Sequence, residues 1–319
     1  MTTDQSTPAP AQALENLLDE QRRFPPDPGF AQSAVATADW YADAAADRLA
    51  FWDRQARELI AWEQPWTETL DWSDKPFARW FVGGRLNASV NCVDRHVAAG
   101  RGDRVAIHFE GEPGDTRTVT YAELHAEVCR AANALTALGV GAGDRVAIYL
   151  PMIPEAVVAM LACARVGAAH SVVFGGFSAE ALRSRILDAG AKLVITADGG
   201  YRRGGASALK PAVDAALRPA ADGTSTSVDH VLVVRRTGQD TAWTDGRDVW
   251  WHDIVTTASP EHTPEAFDSE HPLFILYTSG TTGKPKGILH TTGGYLTQVA
   301  YTHRAVFDLQ PETDVYWCT

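Results

Sequence analysis

The sequence is poor in cysteine, in basic residues and in long apolar runs, and each shortage excludes a class of protein. Its four cysteines, Cys92, Cys129, Cys163 and Cys318, are too few for a disulfide-stapled secreted scaffold and show no C-x-x-C spacing, so we expect free, buried thiols. Lys and Arg number 28 against 40 Asp and Glu, which gives a formal net charge of -12. Because a nucleic-acid backbone is bound by clustered basic residues, this charge argues against a nucleic-acid partner.

No uninterrupted apolar run reaches the roughly 20 residues that a membrane-spanning helix requires, and residues 1–12 lack the basic start and apolar stretch of a secretory signal. We therefore expect no membrane partner and a cytoplasmic location. With 319 residues, 45% of them hydrophobic, the chain is long enough to bury one large core or two smaller ones. It shows no internal repeat, which disfavours a solenoid or a propeller.

The first part of the chain differs in composition from the rest. Residues 1–34 are rich in Thr, Ser, Pro, Ala and Gln, with Pro25, Pro26 and Pro28 interrupting any helix, so we expect a flexible tail. In the region that follows, residues 35–95, aromatic and leucine residues recur between Asp39 and Trp62 at spacings that predict an amphipathic helix or a helix pair.

From Asp103 onward, short apolar runs alternate with helical patterns, which predicts an α/β fold with a mostly parallel sheet. Thr120 with Glu123 three residues later predicts a capping box, Ser178 an N-cap and Gly190 a helix end. The predicted strands are 104–110, 116–121, 145–151, 169–174, 192–197 and 228–235, and the predicted helices are 122–139, 154–167, 178–190 and 209–218.

Two segments interrupt this alternation. The stretch after residue 197 is rich in glycine and is predicted to be a loop. Residues 236–268 are polar, with Trp243, Trp250 and Trp251 as their large apolar side chains, and are predicted to form a surface excursion without chemistry. The last residues, VYWCT, are predicted to form a strand.

The segment that indicates chemistry is 273–287, LFILYTSGTTGKPKG, where an apolar run suited to a strand opens into a loop of glycines, hydroxyls and lysines. Such a loop can hold phosphate, because glycines let backbone N–H groups approach an anion and hydroxyls add rotatable donors. The glycines are Gly280, Gly283 and Gly287, the hydroxyl residues are Thr278, Ser279, Thr281 and Thr282, and the charges are Lys284 and Lys286.

The P-loop of nucleoside triphosphatases is the nearest alternative for this loop, but its signature needs four residues between its glycines and Ser or Thr after the lysine. Here Gly280 and Gly283 enclose two residues, and Pro285 follows Lys284, so a helix cannot begin there. Residues 288–290 are instead predicted to form a second strand, with a helix from about Gly293. The loop is interpreted as a phosphate clamp between two strands, and a surface loop without a ligand remains the competing interpretation.

The fragment YTSGTTGKPKG resembles the signature of the adenylate-forming (AMP-binding) synthetases, and the following HTTGGYL is similar to the short-chain acyl-CoA synthetases, above all the acetyl-CoA synthetases. Three further similar stretches begin at Trp80, Tyr149 and Ile195, and a fourth, DVYWCT, lies at the end of the sequence. The resemblance therefore covers about residues 40–319. It implies helices on both faces of the sheet and a helical segment before it. It also implies that residues 96–319 are an AMP-binding domain that is incomplete at its C-terminal end.

The resemblance implies an acetate–CoA ligase, which joins acetate to the α-phosphate of ATP, releases pyrophosphate and then transfers the acetyl group to coenzyme A. It assigns the β- and γ-phosphates of ATP to Thr278, Ser279, Gly280, Thr281, Thr282, Gly283 and Lys284, and leaves Lys286 less certain. It assigns the nucleotide end of coenzyme A to the turn Arg202, Arg203, Gly204 and Gly205. Some members have arginine where this chain has Gly205, so Arg203 is expected to take over part of that contact.

Other features are assigned no chemistry. The resemblance places the ligands of the Mg²⁺ that accompanies ATP, the adenine site and most of the acyl pocket outside these 319 residues, so no metal site is expected here. His170, His290 and His303 lack metal-ligand spacing, and Gly175 and Gly176 are expected to serve close packing. Three alternatives stay open: a propionyl-CoA synthetase or a similar enzyme, a non-catalytic nucleotide-binding remnant, and a solvated basic turn at residues 202–205.

Overall fold

The computed structural model describes residues 23–278 and 285–317. The helices are α1 Pro28–Ser33, α2 Ala38–Ala46, α3 Arg48–Leu59, α4 Tyr121–Ala137, α5 Pro154–Arg165, α6 Ala179–Ala189, α7 Lys210–Leu217, α8 Trp251–Ile254 and α9 Thr292–Ala305, with π-helical turns at Val90–Asp94 and Val97–Arg101. The strands are β1 Glu68–Asp71, β2 Arg79–Val82, β3 Arg85–Leu86, β4 Val105–Glu110, β5 Thr116–Thr120, β6 Arg145–Tyr149, β7 Ala169–Val172, β8 Leu193–Ala197, β9 Gly199–Arg202, β10 Gly205–Ala208, β11 His230–Val234, β12 Asp248–Trp250, β13 Phe267–Asp268, β14 Pro272–Thr278 and β15 Lys286–Thr291.

A seven-stranded sheet in the order β12-β11-β8-β6-β7-β14-β15 forms the centre of the molecule. Every neighbouring pair is parallel except β14 and β15, which confirms the predicted α/β fold. Strand β8 is buried along its whole length, as expected for a strand that is covered on both faces. Because crossovers between parallel strands are right-handed, α5 between β6 and β7 and α6 between β7 and β8 lie on opposite faces.

Local signals set the helix ends as predicted. The Thr120 hydroxyl accepts a hydrogen bond from the Glu123 backbone N–H, and the Glu123 carboxylate accepts one from the Thr120 N–H, which completes the capping box of α4. The Ser178 hydroxyl caps α6 by accepting from the Ala181 N–H, and Gly190 ends that helix in the left-handed conformation.

The predicted helix pair between Asp39 and Trp62 is formed by α2 and α3, which meet at Asp47. The Asp47 carboxylate accepts the first free N–H groups of α3, from Leu49 and Ala50. Helix α3 packs against α9, where the Tyr301 ring meets Phe51 and Trp52 edge-on. The N-terminal helices and helix α9, which follows the β14–β15 hairpin, therefore share one packed surface.

The polar segment 236–268 is not wholly the surface excursion that its composition predicts. It contributes the edge strand β12, and the Trp251 side chain is buried. The strand is polar because ion pairs hold it: the buried Asp248 carboxylate accepts from the Lys210 ammonium at 2.8 Å and from the Arg247 guanidinium at 2.7 Å. Charged residues that are buried in pairs resemble surface residues in a sequence, which explains the wrong prediction.

Three smaller predictions also differ from the structure. The glycine-rich loop after residue 197 is a hairpin made of β9 and β10, and residues 315–317 of the predicted last strand are not in a strand. Cys129 and Cys163 are free and buried as predicted, whereas Cys92 is free but exposed, and Cys318 lies outside the described residues. In the described part of the chain, no helix is long and apolar enough to cross a membrane.

Candidate functional site

The loop predicted to hold phosphate connects β14 to β15. The two strands are antiparallel, with Thr278 opposite Lys286 at the open end of the hairpin, and both residues are exposed. The second strand and the start of α9 at Thr292 confirm the predicted order of strand, loop, strand and helix, which differs from a P-loop. The other predicted phosphate ligands, Ser279, Gly280, Thr281, Thr282, Gly283 and Lys284, lie outside the described residues.

Tyr277 fixes the root of this hairpin to helix α6. Its hydroxyl donates a hydrogen bond to the Asp188 carboxylate at 2.6 Å, and burial together with this bond raises the pKa of Tyr277. The Arg185 guanidinium lies over the Tyr277 ring at 5.4 Å and over the Phe177 ring at 4.7 Å. A Cβ atom on Gly287 would stand 3.1 Å from the Tyr277 ring, so this glycine has a packing role in addition to any contact with an anion.

The turn predicted to hold coenzyme A joins β9 to β10. Gly205 pairs with Arg202 in the ladder, and the two residues between them, Arg203 and Gly204, have φ values of 55° and 78°. Two left-handed residues between paired strands are typical of a type I′ turn, for which Gly204 is well suited. Arg202 and Arg203 are exposed, and in the part of the chain that the structure describes neither guanidinium lies in an ion pair.

The loop between β7 and α6 lies beside this turn. The Arg202 guanidinium is 5.5 Å from the centre of the Phe174 ring, and Phe174 meets Phe177 edge-on. A Cβ atom on Gly176 would stand 2.6 Å from the Phe174 ring and 2.7 Å from an Arg202 nitrogen. The close packing expected of Gly176 is therefore observed, and Phe177 links this loop through Arg185 to Tyr277 at the root of the other hairpin.

A buried carboxylate holds the base of the β9–β10 hairpin. Asp198 is 1% exposed, and its side chain accepts backbone N–H groups from Gly199 at 2.7 Å, Arg236 at 2.8 Å, Thr237 at 3.0 Å and Gly238 at 2.7 Å. These donors compensate the desolvation of the buried charge. Asp198 thereby ties the hairpin to the loop after β11.

The hairpin β4–β5 approaches the same place from another part of the chain. Asp115 near its tip forms a bidentate pair with Arg236, at 2.6 and 2.9 Å, and the guanidinium also lies over the rings of Phe109 and Tyr201. At the tip, the Glu112 carboxylate accepts a hydrogen bond from the Gly204 backbone N–H at 2.5 Å.

Sequence reasoning missed the residues that position these two hairpins. Asp198 had a detectable signal, since it follows the carboxyl end of a buried parallel strand, where functional groups collect. The contacts Glu112–Gly204 and Tyr277–Asp188 join positions 92 and 89 residues apart, and no spacing rule connects residues at such distances.

The three histidines that the sequence analysis considered as metal ligands each pack against an aromatic ring. His170 on β7 stacks on Phe274, burial lowers the pKa of His170 to about 4, and His290 stacks on the same Phe274 ring at 4.4 Å. His303 is exposed and tilts against Phe307. Among the described residues, no three His, Cys, Asp or Glu side chains come together in a way that suits a metal ion.

Comparisons with known proteins identify the family to which the chain is similar. The AMP-binding enzyme family matches residues 94–319, and the acetyl-coenzyme A synthetase N-terminus matches residues 37–92. The acetyl-coenzyme A synthetase of Streptomyces avermitilis is 72% identical over 308 residues, which cover 97% of this chain and 46% of that protein. Those of Streptomyces coelicolor, 69% identical over 308 residues, and Mycobacterium tuberculosis H37Rv, 67% identical over 306 residues, cover 97% and 96% of this chain and 46% of their own lengths.

The chain thus spans about half the length of the curated relatives that it matches. The AMP-binding match includes both hairpins, and the N-terminal match includes the helices α2 and α3 that pack toward α9. The chain therefore belongs to the AMP-binding enzyme family and carries the N-terminal region found in acetyl-coenzyme A synthetases.

Proposed function

We propose that the protein is an acetate–CoA ligase. It adenylates acetate with ATP, releases pyrophosphate, and passes the acetyl group from the mixed anhydride to coenzyme A. The observation that carries this proposal is the identity of 67–72% with acetyl-coenzyme A synthetases over nearly the whole chain. The 319 residues contribute a phosphate-binding hairpin and a coenzyme A turn.

In this proposal the β14–β15 hairpin holds the leaving pyrophosphate. Backbone N–H groups and hydroxyls surround the β- and γ-phosphates, and Lys284 neutralises the charge that builds up as the bond to the α-phosphate breaks. The phosphate ligands are Thr278, Ser279, Gly280, Thr281, Thr282, Gly283 and Lys284. Tyr277 acts as a positioning residue, because it ties the strand that enters the loop to Asp188 on α6.

Coenzyme A contacts the β9–β10 turn through Arg202, Arg203, Gly204 and Gly205. Guanidinium groups suit phosphates because their forked N–H groups make paired hydrogen bonds. The exposed positions of Arg202 and Arg203 and their lack of carboxylate partners in the described chain support this role. Since Gly205 brings no charge, Arg203 supplies the second cation.

Several further assignments belong to the same proposal. ATP enters as its Mg²⁺ complex. The protein acts on small molecules in the cytoplasm. Residues 1–34 form a tail, residues 35–95 the N-terminal region and residues 96–319 the AMP-binding domain.

The test uses an enzyme of the relatives' full length that carries these 319 residues. We expect Lys284→Ala to slow acetate-dependent exchange of pyrophosphate into ATP about 10²- to 10³-fold, because it removes a charge that stabilises the transition state. Transfer of a supplied acetyl-adenylate to coenzyme A should change little, and Lys75→Ala, at an exposed lysine outside this hairpin, is the matched control.

Two outcomes would count against the assignment. Equal losses in adenylation and transfer would mean that Lys284 has no specific part in pyrophosphate release. A higher kcat/KM for exchange with propionate than with acetate would make propionate the substrate. If no short acid supports exchange, the protein binds a nucleotide without catalysing the reaction.

A further inference from the structure

Three segments that are far apart in the sequence meet at the β9–β10 turn. Asp198 ties the base of this hairpin to the loop 236–238, and Arg236 in that loop ties down the β4–β5 hairpin through Asp115. The Asp115–Arg236 pair is bidentate, and the guanidinium also lies over the rings of Phe109 and Tyr201. These contacts of Arg236 hold the β4–β5 hairpin with its tip next to the β9–β10 turn.

The residue that this tip presents is an acid. Glu112 accepts the backbone N–H of Gly204 at 2.5 Å. In a two-residue type I′ turn the N–H of the second turn residue points away from the ladder, so it is available to an outside acceptor. Here that acceptor is a carboxylate, which is an anion, and the turn that it contacts carries two arginines without an ion-pair partner among the described residues.

We propose that the Glu112 carboxylate occupies the anion position of the coenzyme A turn and must leave when a phosphate group of coenzyme A binds. The inference rests on the proposed function of residues 202–205. The Gly204 N–H cannot donate fully to two acceptors, and a phosphate next to Arg202 and Arg203 would also be repelled by a carboxylate at hydrogen-bond distance. Glu112 therefore weakens coenzyme A binding and sets its affinity.

The contact can open without unfolding the hairpins. Glu112 is exposed and makes one hydrogen bond within the described residues, whereas Asp115, three residues later, keeps the β4–β5 hairpin in place through Arg236. Displacement thus requires a side-chain rotation and costs little. When coenzyme A binds, the turn exchanges the Glu112 carboxylate for a phosphate group as its anionic acceptor.

The experiment measures the KM for coenzyme A in a full-length enzyme that carries these residues. Glu112→Gln keeps the shape of the side chain and removes its charge, and we expect the KM for coenzyme A to fall about threefold to tenfold, with the KM for ATP unchanged. Glu110→Gln is the matched control, because Glu110 is an exposed acid of the same hairpin without a hydrogen bond to the turn. It should leave the KM for coenzyme A within twofold of the parent.

Dephospho-coenzyme A identifies the phosphate that displaces Glu112. A gain restricted to coenzyme A assigns the 3′-phosphate, whereas an equal gain with dephospho-coenzyme A assigns the diphosphate, and both outcomes support the competition. An unchanged or raised KM in Glu112→Gln, or the same fall in Glu110→Gln, overturns it. A damaged fold would not lower a KM, so the expected direction also separates competition from a structural role.

A second variant separates this inference from the proposed function. Arg202→Ala should raise the KM for coenzyme A if the turn binds it. If Arg202→Ala raises the KM and Glu112→Gln does not lower it, the turn is the site and the Glu112 inference alone fails. If Arg202→Ala leaves the KM unchanged, the coenzyme A assignment itself fails.

Discussion

The two hairpins proposed to bind phosphate groups are fixed in different ways. The β9–β10 hairpin is small and exposed, but its base is held by Asp198, a carboxylate that is 1% exposed and accepts four backbone N–H groups. The β14–β15 hairpin grows out of the central sheet, yet Leu276 and Leu289 on its strands are 49% and 52% exposed. Its tie to helix α6 is the partly exposed pair Tyr277–Asp188.

This difference shows that sheet membership does not measure how firmly a site is held. Membership gives β14 and β15 a ladder of hydrogen bonds but leaves apolar side chains in contact with water, which contributes no burial energy. The β9–β10 hairpin has a two-stranded ladder that would be marginal alone, and buried hydrogen bonds to a charge compensate for it. We therefore expect mutations to act more strongly at the root of β9–β10 than at the root of β14–β15.

The largest effect is expected for Asp198→Ala. It leaves up to four backbone N–H groups without an acceptor in a buried place, and each unpaired buried donor is costly. We expect the free energy of unfolding to fall by about 3–5 kcal/mol, measured by urea denaturation of the 319-residue chain. Hydrogen exchange should show loss of protection in residues 199–208 before the rest of the sheet.

Asp198→Asn serves as the graded control for this change. It keeps one acceptor oxygen and turns the other into a donor that faces N–H groups, so it should lie between the parent and Asp198→Ala. If Asp198→Ala costs less than 1 kcal/mol, the hairpin is not held by this carboxylate and the comparison between the two roots collapses.

The same comparison explains what could be predicted from the sequence. The continuous apolar runs of β8 and β11 predict buried parallel strands because their signal is local, and the structure confirms them. The edge strand β12 was missed because its stability comes from the pair Lys210–Asp248, 38 positions apart. The loop sequences of both hairpins indicate phosphate binding. In contrast, Asp198, Arg236 and Asp188 act through contacts with residues that are distant in the sequence and come near only in the folded protein.

A change of pH tests the strand pair at the root of β14. His170 lies opposite Phe274 in the ladder, its Nδ1 has no hydrogen-bond partner in the described structure, and burial lowers the pKa of His170 to about 4 from its ordinary value of 6.5. Above pH 6.5 the ring is neutral in both states and contributes nothing to pH dependence. Between pH 6.5 and about 4 the unfolded chain binds the proton first, so stability falls as the pH falls.

We expect this histidine to account for a loss of about 2 kcal/mol in the free energy of unfolding between pH 7 and pH 5. In His170→Phe, urea denaturation at the two pH values should show a difference that is smaller by that amount. Burial also lowers the pKa of His96 to about 4, so the His170→Phe variant keeps part of the slope. His303→Phe, at an exposed position, is the control, and an equal flattening in both variants would refute the assignment.

The smallest effect is expected for Tyr277→Phe, which removes the hydroxyl and keeps the ring on Gly287 and under Arg185. The lost bond is charge-assisted but partly exposed, so we expect the free energy of unfolding to fall by about 1 kcal/mol. Tyr316→Phe, which changes an exposed tyrosine, is the matched control in the same urea assay. A loss near that of Asp198→Ala would make the two roots equally firm, whereas no loss beyond that of Tyr316→Phe would leave the β14–β15 hairpin held by its ladder and its ring contacts alone.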